Sequence, residues 1–328
     1  MFRMIRLKVF EGTCHPLLRV LLGASLMFGP VFGCGGPREG GASGAMPDSA
    51  SAVDSPLMVA VSVLPQKYFV ESIGGDRVNV FVVVPPGAGP ATYEPAPSDM
   101  RNMSRASVWF TVGVTFEDPW IPRFIDSNPG LKVVSTIRDI QRRPMDRYSV
   151  ESPRGGEHHG HDHGYGSPDP HVWLSPELVR SQAAVIAYEL AAIDSSRSGF
   201  YMDNLLRFEE EIDSLQSEIH GLLDSIPDRD FMVFHPAWGY FCDEFGLTQI
   251  PVESGGSEPS PAGMSALVDY ARDRGISTVF VSPQFSTSSA EAIAAEIGGN
   301  VVQVDPLAEE WADNLYSAAE KIAESSAE

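Results

Sequence analysis

The chain has 328 residues, 43% hydrophobic and 20% charged, a globular composition that excludes wholesale disorder and allows one large domain or two modest ones. Lys and Arg number 23 against 44 Asp and Glu, a formal net charge of −21 with no basic patch, which excludes a chain built to follow a nucleic-acid backbone. Three cysteines (Cys14, Cys34 and Cys242) are too few for a disulfide framework.

Arg3, Arg6, Lys8 and Arg19 precede an apolar run from Val20 to Phe32, too short for a membrane span and shaped like a signal peptide over residues 1–33. The run ends Val31-Phe32-Gly33-Cys34. A small residue before a cysteine at this place resembles a bacterial lipobox, which implies cleavage before Cys34 and a lipid on its sulfur. Residues 34–55, rich in Gly, Ser, Ala and Pro, then read as a flexible tether to a membrane. Loss of residues 1–33 removes four positive charges and one negative, taking the formal net charge from −21 to −24.

Beyond the tether, strands and helices alternate. Leu57–Leu64 predicts a buried strand, Gln66–Ile73 a helix stopped by Gly74-Gly75, and Val78–Val84 a second buried strand closed by Pro85-Pro86-Gly87. Ser98 opens a short helix, Ser107–Val112 predicts a third strand and Lys132–Ser135 a fourth. Tyr201–Leu223 carries Leu205, Phe208, Ile212, Leu215 and Ile219 at helical spacing, with acidic residues on the other face. The pattern then resumes with a strand at Phe231–Phe234, a helix at Ser265–Arg274, a strand at Thr278–Ser282, a helix at Ser288–Ile297, a strand at Val301–Val304 and a last helix at about 308–323. This predicts an α/β fold of two lobes, each with a mainly parallel sheet flanked by helices: residues 56–198, a linking helix at 199–226, and residues 227–328.

The chemistry-bearing residues are histidines and a carboxylate. Five of eight histidines fall between 158 and 171, and His158, His159, His161 and His163 crowd a Gly-rich loop at 156–168. Imidazoles in that density suit a low-affinity loop for divalent transition metals, because ordering a flexible segment opposes tight binding. A tight site calls for rigid positions. His171 in Asp169-Pro170-His171, His235 after the strand Phe231–Phe234, and Asp305 after the strand Val301–Val304 are expected at strand ends, where open α/β sheets bind ligands. Two imidazoles and a carboxylate suit a divalent transition metal. Cys242 reads as a small buried hydrophobe.

At these residues the chain resembles the zinc/manganese-type (cluster A-I) solute-binding lipoproteins of bacterial ABC importers, zinc-uptake subgroup. The resemblance runs from about Met58 to Ile322. It is carried by Pro85-Pro86-Gly87, Tyr93-Glu94-Pro95-Ala96-Pro97-Ser98, Asp169-Pro170-His171-Val172-Trp173-Leu174-Ser175-Pro176, Phe234-His235-Pro236-Ala237-Trp238, Glu258-Pro259-Ser260-Pro261, Pro283-Gln284-Phe285-Ser286 and Asp305-Pro306-Leu307. It implies two lobes on one long helix with metal in the cleft between them, and His171, His235 and Asp305 as ligands. Where the family carries a further histidine this chain has Ala91, which cannot ligate. Glu94 is then the first substitute for a fourth ligand, with water, the histidine loop or Gln66 as others.

The function so implied is capture of Zn²⁺, with Mn²⁺ or Fe²⁺ as alternatives, by a lipid-anchored monomer outside the cytoplasmic membrane, and its delivery to an ABC permease and its ATPase. A metal-buffering or adhesin-like lipoprotein on the same fold is the alternative. A zinc hydrolase would need a general base beside the metal, and the His-Glu-x-x-His pattern is absent, so no catalysis is expected.

Overall fold

The computed structural model describes residues 55–146, 167–253 and 256–326. The signal peptide, Cys34 and His158, His159, His161 and His163 lie outside the described residues. The described chain contains two four-stranded parallel sheets. The first is formed by β1 (Leu57–Val61), β2 (Val78–Val82), β3 (Val108–Thr111) and β4 (Lys132–Ser135), in the order β2-β1-β3-β4. The second has β5 (Asp230–Val233), β6 (Thr248–Pro251), β7 (Thr278–Val281) and β8 (Asn300–Gln303), in the order β6-β5-β7-β8. The two-lobe α/β architecture expected from the sequence is the one observed.

Burial differs from strand to strand. The central strand β3 is buried at all four residues, and so is β7. β2, expected to be buried, is an edge strand and only half-covered, whereas β6, at the edge of the second sheet, is buried at three of its four residues.

Nine helices are described: α1 (Leu64–Gly74), α2 (Pro97–Met103), α3 (Glu117–Ser127), α4 (Pro176–Ile193), α5 (Ser198–Leu223), α6 (Gly239–Phe245), α7 (Pro261–Arg274), α8 (Ser288–Ile297) and α9 (Trp311–Ser325). Their starts follow from local chemistry. Ser175 Oγ accepts a hydrogen bond from Leu178 N at 3.2 Å with Pro176 in the first helical position, and Ser260 Oγ accepts from Gly263 N at 3.1 Å with Pro261 in the same role. That cap starts α7 four residues earlier than the apolar pattern suggests.

The long helix α5 has 26 residues, about 39 Å at 1.5 Å per residue, and carries the chain from the first sheet to the second. Its apolar stripe is buried from Leu205 to Leu223, while its acidic face stays outside. Two helices cover that stripe. α4, which has no counterpart among the expected elements, packs along it, and α9 returns from the second lobe to pack on it as well. Trp311 of α9 lies edge-on to Phe69 of α1 at 5.2 Å and to Phe208 of α5 at 6.0 Å. The larger apolar core therefore draws residues from the first sheet, α4, α5, α6 and α9, and a smaller one fills the second lobe around Ile250, Leu267, Val279 and Ile293. No helix among the described residues is long and apolar enough to cross a membrane.

Candidate metal centre

Both sheets reverse their winding direction between two central strands, β1 and β3 in one and β5 and β7 in the other. The loops leaving such a switch point splay apart and leave a crevice at the carboxyl ends of the strands. A cavity of about 150 Å³ lies there, walled by Ala91, Val114 and Thr115 from the first lobe, His235, Gln284, Phe285 and Pro306 from the second, and Met145, Ser167, His171 and Trp173 from the connecting chain.

His235 follows β5, with Phe234 between them. Its Nδ1 lies 2.7 Å from Oε1 of Glu253, a carboxylate 4% exposed. His171 does not end a strand, contrary to expectation. It precedes a single 3₁₀ turn at Val172–Leu174 that leads into α4. Its rigidity comes instead from Asp169, fully buried, whose Oδ1 lies 2.8 Å from His171 Nδ1 and accepts from His171 N at 3.0 Å. An ionised carboxylate only accepts, so each imidazole carries its proton on Nδ1 and keeps the Nε2 lone pair for a ligand. Burial holds the His171 pKa below its ordinary value, opposed in part by Asp169, which favours the neutral form that can bind metal. The two rings stand 5.3 Å apart at 76°. Phe285 stacks on the face of His235 at 4.5 Å, and Trp173 meets His171 edge-on at 5.2 Å.

Asp305 follows β8 closely, but it lines an adjoining wider cleft of about 620 Å³ together with Glu309, Glu310 and Asp313. Its Oδ1 accepts from Gln284 Nε2 at 2.8 Å and from Leu307 N at 2.9 Å. Gln284 and Leu307 line both spaces. Among the described residues, no three of His, Cys, Asp and Glu form a group that could hold a metal by themselves. The structure thus brings His171 and His235 together and places Gln284, which Asp305 holds, in the wall of the same cavity.

Glu94 is exposed and is not among the residues lining the cavity, whereas Ala91 is one of its walls. The side chain of Gln66 is committed elsewhere. Its Oε1 accepts from Ser62 N at 3.0 Å and Val63 N at 3.3 Å and caps α1, and only an amide nitrogen, which cannot ligate, is left over. Cys242 is 2% exposed in the core, and burial raises its thiol pKa well above the usual value, so it is a small apolar group as expected. Two participants were missed in the sequence: Glu253, 18 residues beyond His235, and Gln284, three residues beyond the end of β7, the strand beside β5 at the switch point. The second had a usable signal in its place after Thr278–Ser282.

A family described as zinc-uptake complex component A, periplasmic (ZnuA) matches residues 59–325. A putative metal-binding protein of Chlamydia muridarum (strain MoPn / Nigg) is 27% identical over 267 residues, which cover 81% of this chain and 90% of that protein. The high-affinity zinc uptake system protein ZnuA of Bacillus subtilis (strain 168) is 24% identical over 272 residues, covering 79% and 81%. A crystal structure of ZnuA, 39% identical, superposes with a TM-score of 0.74 over 83% of this chain and 99% of its own. With the family matched across most of the chain and two partly buried imidazoles, each backed by a buried carboxylate, lining one interlobe cavity, this chain belongs to the ZnuA family of zinc-uptake binding proteins.

Proposed function

We propose that this protein captures Zn²⁺ outside the cytoplasmic membrane, with Mn²⁺ as a competing ion, and hands it to an ABC permease driven by an ATPase. The observation that carries the reading is the pair His171 and His235, each with Nδ1 on a buried carboxylate and both facing the cavity between the lobes. Two imidazoles are a borderline-soft donor pair suited to zinc, and the Gln284–Asp305 pair brings an oxygen donor to the same wall. Cargo must be released, and a cavity formed from two lobes opens when they part. The lobes ride on one helix, α5, which gives them a common axis for that movement.

The protein works as a monomer held to the membrane by a lipid on Cys34. The cluster His158, His159, His161 and His163 gathers metal weakly, in addition to the tight site.

Zinc titration of residues 35–328 against a chelator of known affinity tests the reading. One tight site is expected, together with weak sites that disappear when residues 158–163 are deleted. His171→Ala and His235→Ala should each lower the tight affinity by about 100-fold or more, beyond the 10–100-fold typical of an outer-shell partner. Tight binding that survives both substitutions would place the site elsewhere. Fatty-acid labelling of the full chain that is lost in Cys34→Ser tests the anchor.

A further inference from the structure

We propose that the third protein donor to the metal is the side-chain amide oxygen of Gln284, and that Asp305 is a positioning residue that aims it rather than a ligand. The proposal rests on the reading of this cavity as the metal site, and deepens it.

Three side chains at the cavity share one construction. His171 is held by Asp169 at 2.8 Å, His235 by Glu253 at 2.7 Å and Gln284 by Asp305 at 2.8 Å. In each pair a carboxylate accepts a hydrogen bond from one end of a planar group and leaves the opposite end as a bare acceptor: Nε2 of each imidazole and Oε1 of the amide. The orientation of the amide is fixed by chemistry, because the Asp305 carboxylate accepts and only the NH₂ end of Gln284 can donate to it. Its oxygen must therefore point away from Asp305.

That oxygen is buried and has no hydrogen-bond partner. Buried polar atoms are almost always satisfied, so such an atom marks a place where a ligand belongs. Three other buried side-chain atoms among the described residues share this condition, on Gln66, Asp169 and Trp238, and none of those residues lines the cavity. Gln284 lines it together with both histidines.

Asp305 is less suited to ligate directly. Its Oδ1 already accepts two hydrogen bonds, from Gln284 and from Leu307 N, and the residue faces the neighbouring cleft rather than the cavity. Its main-chain oxygen is fixed by Asn314 Nδ2 at 2.7 Å, which holds the turn in place. Binding through Gln284 Oε1 breaks no hydrogen bond and leaves Asp305 Oδ1 with both of those it accepts. The donor set is then two imidazole nitrogens and one amide oxygen, all neutral, with a position left for solvent on the side where Ala91 offers no donor. A neutral set leaves the full charge of the ion uncompensated by its ligands, which favours exchange of cargo over storage.

Chelator-competition titrations with Zn²⁺ on residues 35–328 decide the matter, using the parent chain, Gln284→Leu, Asp305→Asn and His171→Ala. Gln284→Leu keeps approximate size and removes both ends of the amide; it should weaken zinc binding about 100-fold. Asp305→Asn should cost about tenfold, in the lower part of the range for an outer-shell partner. An equal or larger loss in Asp305→Asn than in Gln284→Leu, or no loss in Gln284→Leu, overturns the proposal. If His171→Ala leaves tight binding intact, the underlying site assignment fails instead. A crystal structure of the zinc-loaded parent chain, which needs no variant to fold, gives a second test. Gln284 Oε1 should lie about 2.0–2.2 Å from the ion with Asp305 still accepting from Gln284 Nε2. Asp305 bonded to zinc with Gln284 turned away would refute it.

Discussion

The imidazoles of His171 and His235 meet edge to face at 5.3 Å, and each is gripped from behind by a different buried carboxylate. One carboxylate comes from two residues earlier in the chain and the other from 18 residues later. The first grip is made by the Asp-Pro-His segment itself, and the second exists only because β6 pairs with β5 and brings Glu253 beneath the His235 loop.

Both grips should matter to metal affinity without being ligands. Asp169→Asn and Glu253→Gln keep size and remove the charge that fixes the Nδ1–H tautomer. Each is expected to weaken Zn²⁺ binding about 10–100-fold, with far-ultraviolet circular dichroism unchanged. Chelator competition reads the affinity, and unaltered binding in both variants would show that the carboxylates do not tune the imidazoles.

Trp173, two residues after His171, and Trp311, at the start of α9, tie the chain around the site to the second lobe by two indole hydrogen bonds. Trp311 donates to the Trp173 carbonyl at 2.6 Å, and Trp173 donates to the Pro306 carbonyl at 2.7 Å. Both rings are at most 1% exposed. Trp311→Phe leaves the Trp173 carbonyl without a partner where water cannot reach it. The loss is expected to be about 1–3 kcal/mol from that carbonyl, with a further cost for the volume removed. Urea unfolding measures it, and a change below about 0.5 kcal/mol would show that the bond contributes nothing net.

Glu117, 3% exposed at the start of α3, accepts from Val112 N at 2.8 Å and Gly113 N at 2.7 Å and so holds the loop that forms one cavity wall. Burial pushes its pKa up to about 7 from an ordinary 4.5. Because the folded-state value is the higher one, between pH 4.5 and 7 the folded chain keeps a proton that the unfolded chain has released. Its contribution is complete below pH 4.5 and is lost as pH rises through 7, at about 1.4 kcal/mol per unit, or about 3 kcal/mol in all. Glu117→Gln cannot titrate. Urea unfolding of the metal-free chains at pH 4.5, 6 and 8 should show the variant gaining on the parent as pH rises. A pH-independent difference between them would contradict the shift.

Two glycines should respond to alanine in opposite directions. A Cβ on Gly299 would lie 1.9 Å from the main-chain oxygen of Ser277, which accepts from Asn300 N where β8 joins β7. Backbone cannot yield there cheaply, so Gly299→Ala is expected to destabilise by about 1–3 kcal/mol. Gly221, near the end of α5, has nothing within 4 Å of the same position. Gly221→Ala should stabilise by about 0.5–1 kcal/mol through the entropy of the unfolded chain. Thermal melts of the two variants check both signs.

By itself the sequence determined whatever depends on neighbours along the chain. Alternating β-branched runs and amphipathic stretches defined seven of the eight described strands and the long α5, because period is local, but β6, α3, α4 and α6 had no counterpart among the expected elements. It also singled out His171 and His235 as expected strand-end residues, which holds for His235 after β5 but not for His171, whose place is fixed by Asp169. Contacts between distant residues were decided only by tertiary structure. β2 was left half-covered at an edge of its sheet, and packing brought α4 and α9 onto the apolar stripe of α5. Gln66 was spent on a helix cap, Glu94 was left facing solvent, and Asp305, 21 residues beyond Gln284, was turned onto its amide. A side chain has few donors and acceptors, and which of them remain free for a metal is settled only when folding has assigned the others.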